Sequence, residues 1–394
     1  MTESSFKGRY ILASQYFLYF GVMGAFLPYF NLYCYKIGFT GFQIGALSAT
    51  RSVVMIISPL IMGTLADRFQ TRKTIYLTCL FISVAIWCFY FFTSDFWAML
   101  IITVCYTVFY SPIISFLETF TIEMLGKKKK SYGSIRVWGT IAFIVTVFIL
   151  GKILDIYPIR IILLFILIGS ALQAALATKI SDVKTANNKP FYNEAIRLLK
   201  KREVIIFLAS AFLMLVSHGM YYGFFSIHLE RLGYDRTFTG VAWGLASLAE
   251  ILVMINSKRI FRYFSINTVI IFAFAVAILR WLILSLTISP VIILLSQTLH
   301  AFTYAAFHIS SILYIDSMTS DETKTLGQAV NNAVTYGLGL MVGFFLSGWL
   351  YEKAGSSALF GLSSLIALMG GIIFILFKLF DTKKGGNNFI SNTG

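Results

Sequence analysis

Charge is scarce in this chain. Lys, Arg, Asp and Glu make up 12% of its 394 residues, about half the share of a typical soluble domain. Acid is scarcer than base: 17 acidic against 32 basic side chains leave a net charge of +15. Histidine and cysteine occur four times each and proline six times. Cys34, Cys79, Cys88 and Cys105 lie in or beside apolar stretches without CxxC or metal-like spacing. They read as small packing residues, not as a disulfide frame or a metal site. No HExxH, GxSxG or glycine-rich phosphate loop occurs, which argues against an enzyme, a bound cofactor and an ATP-driven engine. No polar stretch is long enough for the soluble domain that a sensor would carry.

What remains is apolar. Hydrophobic residues reach 58% and mean hydropathy is +0.80. A membrane helix needs about 20 such residues in a row. The sequence predicts twelve spans: 10–33, 43–65, 74–93, 96–120, 132–152, 160–179, 204–228, 238–257, 266–287, 290–315, 325–350 and 357–380. The first run follows a short polar start and lacks a small-residue cleavage site, so it is expected to be retained. The expected fold is an all-α membrane protein of two pseudo-symmetric six-helix bundles, 1–179 and 204–380. Between them, 180–203 carries Phe191, Ala195, Ile196 and Leu199 at helical spacing among basic residues, the pattern of an interfacial amphipathic helix. The tail 381–394, rich in glycine and asparagine, is expected to be disordered.

The basic residues alternate between loops. Placing the N-terminus inside puts 23 Lys and Arg on the inner side, 6 on the outer side and 3 within spans. That asymmetry predicts cytoplasmic termini. It also accounts for the positive charge without a nucleic-acid partner.

The three basic residues within spans are Arg51, Arg136 and Arg280. Burying a charge in a bilayer costs about 2.5–3.5 kcal/mol even on lenient scales, so each calls for a partner or a ligand. Glu118 and Arg136 stand nine residues either side of Lys127, inside a run of four lysines. On two helices joined at that turn, both charges lie about 13 Å from it, at one depth. Glu250, Arg280 and His300 are related the same way through Ser265 and Pro290. A carboxylate beside a guanidinium and an imidazole can load and release a proton as its surroundings change. The plain alternative for each set is a static ion pair between helices. Three buried arginines against two acids leave one surplus positive charge, which favours an anionic substrate. His218, His228 and His308 read as packing residues, with His308 placed to share the edge of a cavity.

Gly63-Thr-Leu-Ala-Asp67-Arg68, followed by Arg72 and Lys73, resembles the inner-loop motif of the major facilitator superfamily. Gln70 stands where that motif usually has its second glycine. The resemblance implies gating, with Asp67 facing a helix N-terminus and the basic residues pairing across the inner mouth. Tyr132-Gly-Ser-Ile-Arg136-Val-Trp138-Gly139 resembles the fifth-helix motif of the branch containing lactose permease and the 3-phenylpropionate transporters, where an acid eighteen residues earlier joins the arginine at the substrate. Glu118 occupies that position. Ala249-Glu250-Ile-Leu, Ile278-Leu-Arg280-Trp and Thr298-Leu-His300-Ala are similar to the coupling acid, arginine and histidine of that branch. The chain departs from lactose permease at Thr303, Tyr221, Phe224 and Gln297, where the permease has charged groups.

The resemblance implies a monomeric, proton-coupled symporter that imports a small organic solute across a bacterial inner membrane. Aromatic or other small carboxylates rank first as substrate; a sugar or nucleoside ranks second, and drug efflux is the alternative direction. Glu118, Arg136, Arg51, Trp138 and Tyr221 are the expected substrate contacts. Glu250, Arg280 and His300 are the expected coupling residues.

Overall fold

The computed structural model describes residues 3–126, 131–180, 201–320 and 323–390. Residues 181–200 of the expected linker 180–203, Lys127–Lys130 and the last four residues lie outside them. Among the described residues the chain is helical, without strands.

In the first half the helices are α1 (Glu3–Lys36), α2 (Gly41–Phe69), α3 (Arg72–Trp87), α4 (Phe96–Tyr110), α5 (Pro112–Leu125), α6 (Tyr132–Ile156) and α7 (Ile161–Ala177). The second half holds α8 (Arg202–Arg231), α9 (Arg236–Tyr263), α10 (Ile266–Leu286), α11 (Pro290–Thr298), α12 (Phe307–Met318), α13 (Lys324–Asn331) and α14 (Leu340–Ile390). Among the described residues ten helical stretches are long and apolar enough to cross a membrane, one of them the 55-residue Leu326–Phe380, and Ile161–Ala177 is a shorter apolar helix. Leu326–Phe380 is interrupted at Gly355, whose φ of 73° and ψ of 178° are not helical. Glycine has no Cβ to oppose that conformation. The backbone of α14 is described to Ile390.

Short polar side chains start the helices. Thr40 and Gln43 form a reciprocal capping box on α2, while Asp95, Asp235 and Ser265 cap α4, α9 and α10. Each satisfies an amide that the first helical turn leaves open. Pro112 divides α4 from α5 at Ser111, because proline has no N–H to continue the ladder. Two π-helical segments, Ala301–Ala306 and Asn332–Gly339, interrupt the second half.

Two seams join the halves, α6 against α9 and α2 against α14. The hydrogen bonds that cross between halves cluster at the face opposite the N-terminus. There Asp155 accepts from the amides of Arg236 (2.7 Å) and Thr237 (3.1 Å), closing the open N-terminus of α9. Lys36 pairs with Glu230, Asn31 donates to the Gly223 carbonyl at 3.0 Å, and the Gly41 amide donates to Glu352. Glycine makes the close approach possible: a Cβ on Gly240 would lie 2.1 Å from the Val147 carbonyl oxygen, and one on Gly45 would lie 2.6 Å from that of Phe344. This face is sealed.

Gly240→Val is therefore expected to hold the α6–α9 seam apart. Spin labels at positions 36 and 230, with Cys88 and Cys105 replaced by serine, report the change. The distance between them should lengthen by several ångströms; an unchanged distance would mean that the seam tolerates the side chain.

Candidate functional site

Several polar groups of the second half form one connected chain. Arg280, on α10, is fully buried. Its Nε donates to the Ser296 carbonyl at 3.2 Å and one terminal nitrogen donates to Gln297 Oε1 at 3.0 Å. The other lies 2.9 Å from His300 Nδ1. A guanidinium only donates, so Nδ1 is the accepting nitrogen and Nε2 carries the imidazole hydrogen. That nitrogen lies 3.1 Å from Glu250 Oε1, with the Tyr222 hydroxyl at 3.4 Å. The order is thus Arg280–His300–Glu250, with the imidazole between the ions. A direct Glu250–Arg280 pair is not what forms.

The remaining partners complete the shell. Tyr221 donates to Gln297 Oε1 at 2.9 Å, and the Arg280 guanidinium lies 4.3 Å from its ring centre. Tyr221, expected as a substrate contact, is thus fully buried beside the arginine with its hydroxyl satisfied. His218 donates from Nδ1 to the Met214 carbonyl at 2.9 Å, and its Nε2 is 3.3 Å from the Thr303 hydroxyl. His300 stands directly before the π-helical turn, a feature frequent at functional sites because it re-aims side chains. Tyr304, within that turn, stacks on both His300 and His308. His308 in turn lies 2.6 Å from the Tyr336 hydroxyl.

The first half is arranged differently. Glu118 accepts from the Tyr132 hydroxyl at 3.4 Å, and Arg136 is within its electrostatic reach without forming an ion pair. The Arg136 guanidinium instead lies 3.8 Å from the centre of the Phe20 ring and 5.5 Å from that of Tyr16. Arg51 lies 4.2 Å from the centre of the Phe26 ring. These are cation–π placements, which support a charge in a dry site. Trp138, two residues beyond Arg136, is 47% exposed and does not join this group.

The loop motif also differs from expectation. Arg72 binds Asp67 at 2.9 Å and Glu123 at 2.6 Å, so it ties the ends of α2 and α5 within one half instead of reaching across the mouth. The turn forms without its second glycine. Gln70 takes the left-handed conformation (φ 53°, ψ 37°), held by its side chain donating to the Asp67 carbonyl at 2.8 Å. Arg68 lies by the Phe69 ring, Lys73 sits in the first turn of α3, and a Cβ on Gly63 would meet nothing within 4 Å.

Tyr304 and Glu123 were not singled out from sequence, and Gln297 was named only as a departure from lactose permease. Only Glu123, an acid five residues after Glu118, gave a signal. Gln297 is the most consequential, since Arg280 and Tyr221 share its oxygen. Gln297→Leu is expected to lower stability by about 2–4 kcal/mol, because two buried donors lose their acceptor. Thermal unfolding in detergent would show it; an unchanged midpoint would mean that both donors are satisfied elsewhere.

Residues 10–362 match the model of the MFS_1 like family. The chain is 26% identical over 364 residues to the "Probable 3-phenylpropionic acid transporter" of Escherichia coli (strain K12), covering 91% of this chain and 94% of that protein. It is 21% identical over 370 residues to the nucleoside permease NupG of Escherichia coli (strain K12), covering 85% and 86%. The crystal structure of nucleoside transporter NupG superposes with a TM-score of 0.85 at 18% identity, covering 93% of this chain and 98% of that one. The chain belongs to the MFS_1 like family and is a membrane transporter of the major facilitator type, not an enzyme.

Proposed function

We propose that the chain is a proton-coupled symporter that imports a small organic anion by alternating access. An aromatic or other small carboxylate is the favoured substrate. One observation carries the reading: three arginines stand within the expected spans, and among the described residues only Arg280 of the three is linked, through His300, to an acid. Glu118 offsets Arg136 at a distance. The surplus charge favours an anion between the halves, held by Arg51, Arg136 and Glu118. The similarity to a 3-phenylpropionic acid transporter supports the same class. A nucleoside is the second reading, favoured by the Glu118–Tyr132 pair, which offers groups to sugar hydroxyls, and by the likeness to NupG.

Twelve crossings in two bundles fit the helices. A continuous 55-residue helix would run about 83 Å, far beyond the ~30 Å hydrocarbon core. Gly355 is where this stretch turns back, giving two spans, and Ile161–Ala177 supplies the sixth. The basic residues orient both termini to the cytoplasm, with the linker 180–203 between the bundles and the protein acting as a monomer in a bacterial inner membrane. The sealed face is then the outer one, and the structure is the inward-facing state of the cycle.

Glu250 is the proton carrier in this reading. Protonating His300 at Nδ1 would break its bond from Arg280, whereas a protonated Glu250 keeps an oxygen beside Nε2, 3.1 Å away. The proton therefore loads on the carboxyl without dismantling the chain behind it. Arg280 fixes the imidazole tautomer and orientation.

Glu250→Gln keeps the acceptor oxygen and removes the titration. It should catalyse substrate exchange across proteoliposome membranes at near wild-type rate, yet fail to accumulate substrate under a pH gradient. Uphill accumulation retained by this variant would remove Glu250 from coupling.

A further inference from the structure

The charges of the first half are not equivalent. Glu118 lies within electrostatic reach of Arg136 and offsets it. The electrostatic neighbours of Arg51 are Tyr110, Tyr106, Tyr19 and Tyr90, with no acid among them. Among the described residues Arg51 makes no hydrogen bond or ion pair; its contact is the Phe26 ring. Arg51 stands ten residues into α2, and Tyr106 and Tyr110 stand ten and fourteen into α4. Both helices start at the sealed face, so these side chains lie about 15–21 Å below it.

The tyrosines are held by their rings. Tyr110 stacks on Tyr19 at 5.3 Å and on Tyr106 at 4.9 Å, and Tyr106 packs on Trp87 at 4.9 Å. Phenylalanine would stack as well, so packing does not account for the hydroxyls. Tyr106 and Tyr110 are 3% and 5% exposed; the Tyr106 hydroxyl has no hydrogen-bond partner, and the Tyr110 hydroxyl has at most that of the stacked Tyr19 beside it. Tyr90, by contrast, is joined to Thr103 at 2.7 Å. Such buried hydroxyls beside an unpaired guanidinium are what an anion requires: a carboxylate takes two bonds from the guanidinium fork and one from each phenol.

We propose that Arg51, Tyr106 and Tyr110 form the subsite that holds the carboxylate of the substrate, leaving Arg136 and Glu118 to contact the rest of the molecule. The assignment rests on the reading of the protein as an organic-anion transporter. It makes Arg51 the residue that distinguishes an acid from its neutral isostere.

The test is binding to the purified protein in detergent by titration calorimetry, with 3-phenylpropionate, benzoate and succinate as acids and 3-phenylpropionamide and adenosine as neutral probes. Wild type should bind at least one acid and prefer it to the amide by 10-fold or more. Tyr106→Phe and Tyr110→Phe keep the stacked rings and should each weaken that acid roughly 5–10-fold without lowering the melting temperature. Arg51→Gln should weaken it by about 100-fold, and Arg51→Lys should recover part of the loss. Acid affinity within twofold of wild type in all four variants, with loss confined to Arg136→Gln, would overturn the subsite and leave the anion reading intact. Wild type that binds adenosine and none of the acids would overturn both.

Discussion

A charge inside a membrane has to be answered. Water is absent from the bilayer core, and an isolated ion there is expensive. In this protein that constraint organises the second half around Arg280. The guanidinium is fully buried and spends its donors on Ser296, Gln297 and His300. His300 then hands the chain on to Glu250. Each member fixes the next: the arginine sets the imidazole tautomer, and the imidazole positions the carboxylate. The π-helical turn after His300 places that ring between two ions.

The first half meets the same constraint with aromatic faces. Arg136 rests on Phe20 and Arg51 on Phe26, so neither guanidinium is locked to a carboxylate. A cation supported by a ring remains open to a ligand, whereas one in a bidentate ion pair does not. This division suits a carrier whose halves do different work, one holding substrate and the other moving a proton. The sealed face fits the same picture. Asp155 on the α9 terminus and the glycine contacts at Gly45 and Gly240 are short-range interactions, able to close and part as rigid bundles rock.

Much of this is legible in the sequence because membrane helices have simple rules. Hydropathy and loop charge give the helical architecture, and counting residues to a turn places Glu250, Arg280 and His300 at one depth, where the structure brings them together. Counting cannot give the order of contact. The histidine lies between acid and arginine, directly before the π-helical segment 301–306, which carries no sequence signature. Depth matching also placed Glu118 with Arg136, yet a shared level does not fix rotamers, and Phe20 captures the guanidinium. Tyr221, expected as a substrate contact, packs on Arg280 and donates to Gln297, partners that its place in the sequence does not announce. The Arg72 pairing with Glu123 depends on a turn that Gln70 forms in a conformation glycine usually serves.

Uptake into proteoliposomes under an imposed inward proton gradient addresses the central claim most directly. Labelled 3-phenylpropionate would be offered beside a β-galactoside and a nucleoside. The account predicts uphill accumulation of the carboxylate, abolished when the gradient is collapsed. Accumulation of the sugar or nucleoside in its place, or carboxylate uptake indifferent to the gradient, would contradict it.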